Sequence, residues 1–320
     1  MATNPSSLDV LDSHISSGEA EEYISKLKQF EATLATYWKF EVVPAIFQQS
    51  LAETDESKFN YLDNHFGILQ SWDSIVEKLN KLNASGGPDE SYKLVFLARH
   101  GQGFHNLAHS KYGNKAWNEH WSKLNGDGEI VWGPDPNLTE LGISQAKENA
   151  AVWKQELVNN LSGNSKLILP TKWFVSPLSR SIDTLINTWK DIVDLQKVNP
   201  LIQEKLRETT GIHTCDKRSP RRVIAEKYES KGLIIEPGFE EEDTYYKDDY
   251  RETVAEHSLR INKNLQQIFS EYPQDSILSF TSHSGSIRAQ LLALGHRSFA
   301  VGTGGMIPVF VKATRHHNKL

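Results

Sequence analysis

The feature of this sequence that most constrains the fold is an apolar run that ends abruptly on two basic side chains. The segment from Tyr92 to Asn106 reads YKLVFLARHGQGFHN, and the residues from Leu94 to Ala98 are all apolar. An uninterrupted apolar strand is typical of a parallel sheet whose two faces are both covered. Arg99 and His100 follow it directly, ahead of a Gly-x-Gly. Because open α/β sheets bind ligands beyond the carboxyl ends of their strands, this junction predicts a binding crevice.

Further strands and helices alternate along the chain. The pattern predicts strands in KWFVSP, PLIQEKL and SILSFTSH, which end at Pro177, Leu206 and His283. Helices are predicted over about 180–195 and 286–294, and after the capping residue Thr139. The inward-facing positions of this last helix are Ala146, Ala150, Trp153 and Leu157. Such alternation predicts a three-layer α/β/α sandwich with a mainly parallel sheet.

The chain divides into two predicted regions. Residues 1–90 form a helical N-terminal extension packed on the core, with helical spacing from about residue 19 to residue 83. The loop ASGGPDES separates it from a domain over 91–320. Within that domain, residues 236–252 are an acidic, tyrosine-rich insertion. We interpret the insertion as a solvated surface loop, with a lid or partner-binding role as the alternative.

Composition excludes several classes of function. Lys plus Arg is 35 against 41 for Asp plus Glu, which leaves no basic excess for gripping a nucleic acid. The single cysteine, Cys215, allows no intrachain disulfide and no cysteine-rich metal site. We find no signal peptide pattern and no apolar stretch long enough for a membrane span. We therefore expect a cytoplasmic location, with the nucleus as a second compartment, and leave the oligomeric state open.

Arginine, histidine and glutamate side chains lie at the ends of the predicted strands. Arg99 and His100 follow the first strand, Arg180 follows the second, and His283 ends the last. Arg207 and Glu208 follow the strand in PLIQEKL. Arginines orient phosphoryl oxygens, and a neutral imidazole can attack phosphorus. A second, protonated imidazole can stabilise the charge that develops, and a carboxyl group can transfer the proton. These residues predict phosphoryl transfer through a phosphohistidine, with no metal and no cofactor required.

Four motifs occur in the order expected of one family. They are LARHG with Asn106 five residues after Gly101, SPLSRSIDT, LRETTG and SHSGSIR. Over roughly residues 92–314 the chain resembles the histidine phosphatase superfamily, in its phosphoglycerate mutase-like branch. RHGQGFHN, a GxHTCDKRS-type segment, NLTELGISQA and GGMIPVFVKA are similar to those of fungal phosphomutase-like proteins. The resemblance implies a phosphoglycerate mutase-like fold.

The same resemblance implies roles for individual residues. His100 would be the nucleophile, Glu208 the proton donor and acceptor, and His283 a further catalytic group. The implied phosphate pocket consists of Arg99, Asn106, Arg180 and His283. Many mutases carry a glutamate after Arg-His-Gly, where this chain has Gln102. Residues predicted to contact the rest of the substrate are Gln102, Arg218 and Arg221.

Rival chemistries use some of the same segments. Cys215 and Arg221 have the spacing of a cysteine phosphatase loop, but Asp216 adds a like charge beside the thiol and no glycine lies between. SHSGS is not a serine hydrolase elbow, because Ser282 stands where the first glycine is needed. A metal shared by His105 and His109, one helical turn apart, lacks a third ligand at the right spacing, so packing or substrate contact is the favoured role.

The sequence thus predicts a metal-independent phosphomonoester hydrolase for a small phosphorylated metabolite. A phosphomutase is the runner-up, because it needs every catalytic residue named and differs only in whether water or a second hydroxyl accepts the phosphoryl group. A non-catalytic interaction module of the same fold is the alternative from another class. A pure scaffold gains nothing from clustering buried cations, which argues against the module.

Overall fold

The computed structural model describes residues 4–158 and 166–318, so the first three residues of the predicted extension lie outside it. Within these residues no helix is long and apolar enough to cross a membrane. The α-helices are α1 (Ser7–Ser13), α2 (Ser17–Glu31), α3 (Trp72–Ser85), α4 (Phe104–Tyr112), α5 (Asn114–Glu119), α6 (Glu140–Val158), α7 (Ser179–Trp189), α8 (Leu195–Val198), α9 (Arg221–Tyr228), α10 (Val254–Glu271) and α11 (Ser284–Ala293). The strands are β1 (Thr36–Val42), β2 (Glu90–Arg99), β3 (Lys172–Val175), β4 (Leu201–Ile202), β5 (Ile234–Ile235), β6 (Ile277–Ser282) and β7 (Met306–His317).

The strands form a single mixed sheet with the order β1-β7-β2-β6-β3-β4-β5. From β2 through β6, β3 and β4 to β5 every neighbouring pair is parallel. Strand β7 pairs antiparallel with both β1 and β2. The predicted α/β fold with a mainly parallel sheet is therefore confirmed.

Strand β2 is apolar from Leu94 to Ala98 because both of its faces are buried there. Leu94 and Phe96 belong to the core on the side of helices α3, α6 and α7. Val95 and Leu97 belong to the core on the side of α10 and α11. Successive strand residues point to opposite faces, so only an unbroken apolar run can fill both layers. Burying each such side chain contributes roughly 1.5–3 kcal/mol.

The predicted helices α6, α7 and α11 are present, with inward positions such as Ala146 and Trp153 buried in α6. The strand predicted in PLIQEKL is short, because only Leu201 and Ile202 pair and a 3-10 turn follows. The sequence analysis did not identify α10, although Thr253 caps it and Glu256 completes a capping box. Buried asparagine and glutamine positions dilute the apolar periodicity of α10, which explains the omission.

The extension is not helical over all of 19–83. Helices α2 and α3 account for its two ends, but the segment Thr36–Val42 is strand β1 at the edge of the sheet. The helical prediction was wrong for this segment, because WKFEV alternates apolar and charged residues and the segment is rich in aromatic residues, both of which favour a strand. Tertiary pairing with β7 then fixes that choice. The extension thus contributes to the same sheet as the rest of the chain.

The acidic insertion is irregular, as predicted, yet part of it is fixed to the protein interior. Asp243 accepts hydrogen bonds from Arg207 at 2.6 Å and from the Arg218 amide at 2.9 Å. Carbonyl groups of Glu240 and Glu242 accept from the Arg218 guanidinium. The insertion therefore wraps around two buried arginines while most of its other side chains face solvent.

A close contact between two glycines holds the loop after β2 against the first turn of α6. A Cβ atom on Gly142 would lie 2.2 Å from the carbonyl oxygen of Gln102, and one on Gly101 would lie 2.2 Å from that of Gly142. The missing side chains therefore let α6 approach the segment that carries His100.

We expect Gly142→Ala to lower the free energy of unfolding by about 1–3 kcal/mol, measured by urea denaturation. At an unpacked helix position, Gly→Ala would raise the free energy of unfolding by about 1 kcal/mol through helix propensity. A decrease at Gly142 would therefore indicate the close contact. Gly87→Ala is the matched control, because no atom lies within 4 Å of its added Cβ. An equally stable Gly142→Ala protein would contradict the packing described here.

Candidate active site

Three strand ends meet at one buried point. His100 follows β2, His283 follows β6, and the His100 amide donates to the Ser282 carbonyl at 2.9 Å across the parallel pair. The two imidazole rings lie 5.0 Å apart between centroids, in an edge-to-face arrangement. Arg180 enters from the first turn of α7. All three side chains are almost fully buried, so the predicted convergence of His100, Arg180 and His283 is present.

The tautomer of His100 follows from its backbone contact. Nδ1 lies 2.6 Å from the carbonyl oxygen of Gly101, and a carbonyl can only accept, so Nδ1 carries the proton. Nε2 is then a lone pair, 3.4 Å from Nε of Arg180. Burial, followed by the charges of Arg180 and Arg99, holds the pKa of His100 well below its usual range. His100 therefore presents an unprotonated nitrogen towards a cationic group.

His283 is arranged as a hydrogen-bond donor. Its Nε2 lies 2.7 Å from Oγ of Ser176 and 3.2 Å from Oγ of Ser181. When these hydroxyls donate to Nε2, the proton resides on Nδ1, which has no partner among the described residues. Burial and the charge of Arg180 lower the pKa of His283 well below its usual range. The sequence predicts a protonated imidazole here, whereas burial beside Arg180 favours the neutral form.

Arg180 is held rigidly by the segment that follows Glu208. Its Nη1 donates to the carbonyl of Cys215 at 2.8 Å and its Nη2 to Oδ1 of Asp216 at 2.9 Å. Asp216 is buried as well, and its other oxygen accepts from Arg251 at 3.3 Å. An arginine with no counter-ion would be very costly at this depth, so Asp216 is a positioning residue for Arg180.

Arg99 and Asn106 lie on the other side of His100. Arg99 donates from Nη1 to the carbonyl of Val301 and to the carboxylate of Asp9, each at 2.7 Å. Asn106 accepts from the Gly103 amide through Oδ1 at the start of α4, which leaves its NH₂ group as the end able to donate. Both residues line the cavity described below.

Glu208 rests on the N-terminus of α11. Its carboxylate accepts from the amides of Thr209 at 2.8 Å and Gly285 at 3.2 Å. A Cβ on Gly285 would lie 2.1 Å from Oε1 of Glu208, so only glycine permits this approach. The two amide donors fix the position of the Glu208 carboxyl group. Behind it, Thr209 Oγ1 lies 3.1 Å from Nδ1 of the buried His257.

Arg99, Asn106 and Glu208 line a cavity of about 880 Å³, whereas His100, Arg180 and His283 lie behind this lining. Some of its polar lining residues were considered as functional residues from the sequence, and others were not. The lining residues include Arg99, His105, Asn106, His109, Lys123, Glu208, Arg251 and Arg288. Lys123 and Arg251 carry no local motif, so no sequence signal identified them. Arg288 ends the SHSGSIR motif, but no role was predicted for it.

Three residues predicted to contact substrate are not part of this cavity lining. Arg218 is buried and donates to the carboxylate of Glu204 at 2.8 Å, so its charge is used inside the fold. Arg221 begins α9, away from the cavity. The Gln102 side chain accepts from Oγ1 of Thr139 at 2.8 Å, at the start of α6. Arg207, fully buried against Asp243, belongs with Arg218 in the interior network.

A model of the histidine phosphatase superfamily (branch 1) matches residues 95–301, which contain His100, Arg180, Glu208 and His283. The chain belongs to the histidine phosphatase superfamily. It is 35% identical over 300 residues to a probable phosphoglycerate mutase of Arthroderma benhamiae, which covers 88% of this chain and 87% of the relative. It is 35% identical over 250 residues to phosphomutase-like protein 3 of Candida albicans, covering 78% of this chain and 72% of that protein.

Among solved structures, this superfamily member is similar to phosphoglycerate mutase from Bacillus anthracis. The two share 15% sequence identity at a TM-score of 0.41, and the match covers 72% of this chain and 94% of that one.

The cysteine does not have the environment of a nucleophile in this histidine phosphatase superfamily member. Burial, and then the charge of Asp216, raise the pKa of Cys215 well above its usual range, so the sulfur stays a thiol. His213, Cys215 and Asp216 bring possible metal-ligand atoms within 4.8 Å of one another. Both oxygens of Asp216 are already bound to Arg180 and Arg251, which compete with any cation. This group therefore fits its arginine partners better than a metal.

The buried histidines make a prediction for stability. Burial is the main cause that lowers the pKa of His100, His257 and His283, so protonation favours the unfolded chain. Stability is then fully present above the unfolded value near 6.5 and is lost as the pH falls below it, by up to about 1.4 kcal/mol per pH unit for each histidine. Urea unfolding measured from about pH 7.5 to about pH 5, a range that brackets the unfolded pKa, gives this slope.

His257→Gln should remove the contribution of one histidine from that slope, up to about 1.4 kcal/mol per pH unit. His120→Gln, at an exposed position, is the matched control and should leave the slope unchanged. A free energy of unfolding that stays flat through this range would show that the three imidazoles are not buried in the neutral form.

Proposed function

We propose that this protein hydrolyses phosphomonoesters through a covalent phosphohistidine on His100. The observation that carries the proposal is the tautomer of His100, whose Nδ1–H is fixed by the Gly101 carbonyl and whose Nε2 lies beside Arg180. A buried, unprotonated imidazole nitrogen next to a guanidinium is suited to in-line attack on a bound phosphoryl group.

In the first step, Nε2 of His100 attacks phosphorus, a P–N bond forms and the ester P–O bond breaks. Arg99, Arg180, the Asn106 amide and Nδ1–H of His283 supply donors for the phosphoryl oxygens. The guanidiniums carry the compensating charge, and a neutral His283 can still donate one hydrogen bond. The bound phosphoryl dianion also favours uptake of a second proton by His283, which would then be an imidazolium.

Glu208 completes both steps as the group that moves the proton. Its acid form protonates the leaving alkoxide oxygen, and the carboxylate that results takes a proton from the water that attacks phosphohistidine. The P–N bond then breaks, which releases inorganic phosphate and returns His100 to its neutral form. The position of Glu208 at the cavity wall and at the start of α11 supports this role.

Phosphoryl transfer to a second hydroxyl is the second candidate, favoured by the mutase names of the fungal relatives. A mutase must keep water from its phosphoenzyme, whereas a hydrolase must admit it. A cavity of about 880 Å³ with a mainly polar set of lining side chains leaves room for water beside the phosphoryl group, which supports hydrolysis. A phosphate-release screen over sugar phosphates, nucleotides, thiamine phosphates and phosphopeptides distinguishes the two, because a strict mutase releases no phosphate.

The nucleophile is tested by two substitutions. We expect His100→Ala to abolish phosphate release from nitrophenyl phosphate, while Cys215→Ser keeps most of the activity because its thiol is buried and protonated. Acid quench should trap a phosphoenzyme that is labile to acid and stable to alkali, as a P–N bond requires. An active His100→Ala protein together with an inactive Cys215→Ser protein would replace the proposed mechanism with a cysteine one.

Glu208 is tested through the leaving group. Glu208→Gln keeps the acceptor oxygen for the Gly285 amide but removes the acid, so the phosphorylation step with a sugar phosphate should slow by about 10²-fold or more. With nitrophenyl phosphate the burst should survive, since nitrophenolate leaves without a proton, while turnover slows for want of a base. Rapid-quench burst kinetics separate the two steps.

Glu241→Gln in the acidic insertion is the matched control, because Glu241 is exposed and outside the cavity lining. It should leave both steps unchanged. If Glu208→Gln slowed the bursts of both substrates equally, Glu208 would be a binding or structural residue.

A further inference from the structure

One of the arginines at the site already holds an anion supplied by the chain itself. Oδ1 of Asp9 lies 2.7 Å from Nη1 of Arg99, and both side chains are largely buried by the contact. Asp9 belongs to α1, far along the chain from the strand that carries Arg99. The charge of Arg99 is a cause of the lowered pKa of Asp9, after burial, which opposes it. A carboxylate therefore occupies a donor that the proposed function assigns to phosphate.

Helix α1 lies along the wall of the catalytic cavity. Ser6, Leu8, Asp9 and Asp12 are all lining residues. At its far end, the Asp12 carbonyl accepts from Nη1 of Arg288 at 2.7 Å, and Arg288 also lines the cavity. Two cations that face the substrate space thus bind α1 at two points.

The contacts that hold α1 are mostly polar. The helix has seven residues, and Ser13 is its one buried side chain, whereas Leu11 is 66% exposed. So short a helix is not stable alone, and little apolar burial anchors this one. A ligand that binds the same arginines more strongly can therefore displace it. His14, which lies 2.8 Å from Glu56, remains as a tether just beyond the helix.

We propose that α1 is an autoinhibitory segment, in which the Asp9 carboxylate takes the place of a phosphoryl oxygen on Arg99 and a phosphorylated ligand displaces it. The proposal rests on the proposed function in assigning Arg99 to phosphate. A phosphoryl dianion offers Arg99 more charge and more acceptor oxygens than a carboxylate does, so exchange is favoured at sufficient ligand concentration. Asp9 and phosphate repel each other, which couples binding to release of the helix.

The first test measures inorganic phosphate binding to the full-length protein by isothermal titration calorimetry. Asp9→Asn keeps the shape of the side chain but removes its charge, so it should tighten phosphate binding by about 10-fold, the factor by which a competing closed state lowers apparent affinity. Glu19→Gln is the matched control, because Glu19 has the same capping position in α2 and does not line the cavity. It should change the affinity by less than about 2-fold.

The second test is hydrogen exchange of the α1 amides in the wild-type protein. Saturating inorganic phosphate should raise exchange across Ser7–Ser13, and in Asp9→Asn the exchange should already be high and respond little. A fall in exchange on adding phosphate would mean that α1 closes over the ligand, which overturns displacement.

The outcomes separate this proposal from the proposed function, since phosphate binding needs no turnover. Tighter phosphate binding by Asp9→Asn in a protein that hydrolyses none of the phosphomonoesters tested would keep the autoinhibitory role and reject the hydrolase. Unchanged or weaker phosphate binding by Asp9→Asn, in a protein whose hydrolysis depends on His100, would reject autoinhibition. In that case Asp9 would serve to orient Arg99.

Discussion

The structure depends on a guanidinium buried completely at the ends of the sheet strands. Arg180 lies among neutral imidazoles, with the carboxylate of Asp216 at 2.9 Å as its counter-ion. A charge at this depth is tolerated because its donors meet acceptors such as the Asp216 carboxylate and the Cys215 carbonyl. The segment around residue 215 is therefore required for the site although it supplies no nucleophile. Its own contacts, such as Arg251 with Asp216, extend the network to the cavity wall.

The charge of Arg180 also influences the protonation of the two histidines at the site. Arg180 lies beside His100 and His283, and burial together with this cation keeps the pKa of each low. An unprotonated ring nitrogen is thereby favoured without a general base to deprotonate it. Two arginines, Arg99 and Arg180, place positive charge near His100, which lowers its pKa, and the two like charges repel each other. A phosphoryl dianion relieves that repulsion, which is the physical basis of the affinity proposed for it.

The contact between Asp9 and Arg99 fits the same electrostatics. An empty cationic pocket gains from any nearby anion, and the N-terminal region supplies one from a short helix with little apolar burial. The acidic insertion is different, because Asp243 is committed to Arg207 in the interior and supports the scaffold. Asp9 and Asp243 thus each pair with a buried arginine, one at the site and one in the interior behind it.

The sequence by itself determined the layered fold and the strand-end groups His100, Arg180 and His283. These follow from local information, since an apolar run specifies a buried parallel strand and the next residues must lie at its carboxyl end. Only the tertiary structure decided which carboxylate neutralises Arg180, which anion occupies Arg99 and which cations line the cavity. Those pairings join segments far apart in the chain, and several acidic residues compete for each arginine. The path of the loops and the depth of burial select among them, which no local pattern encodes.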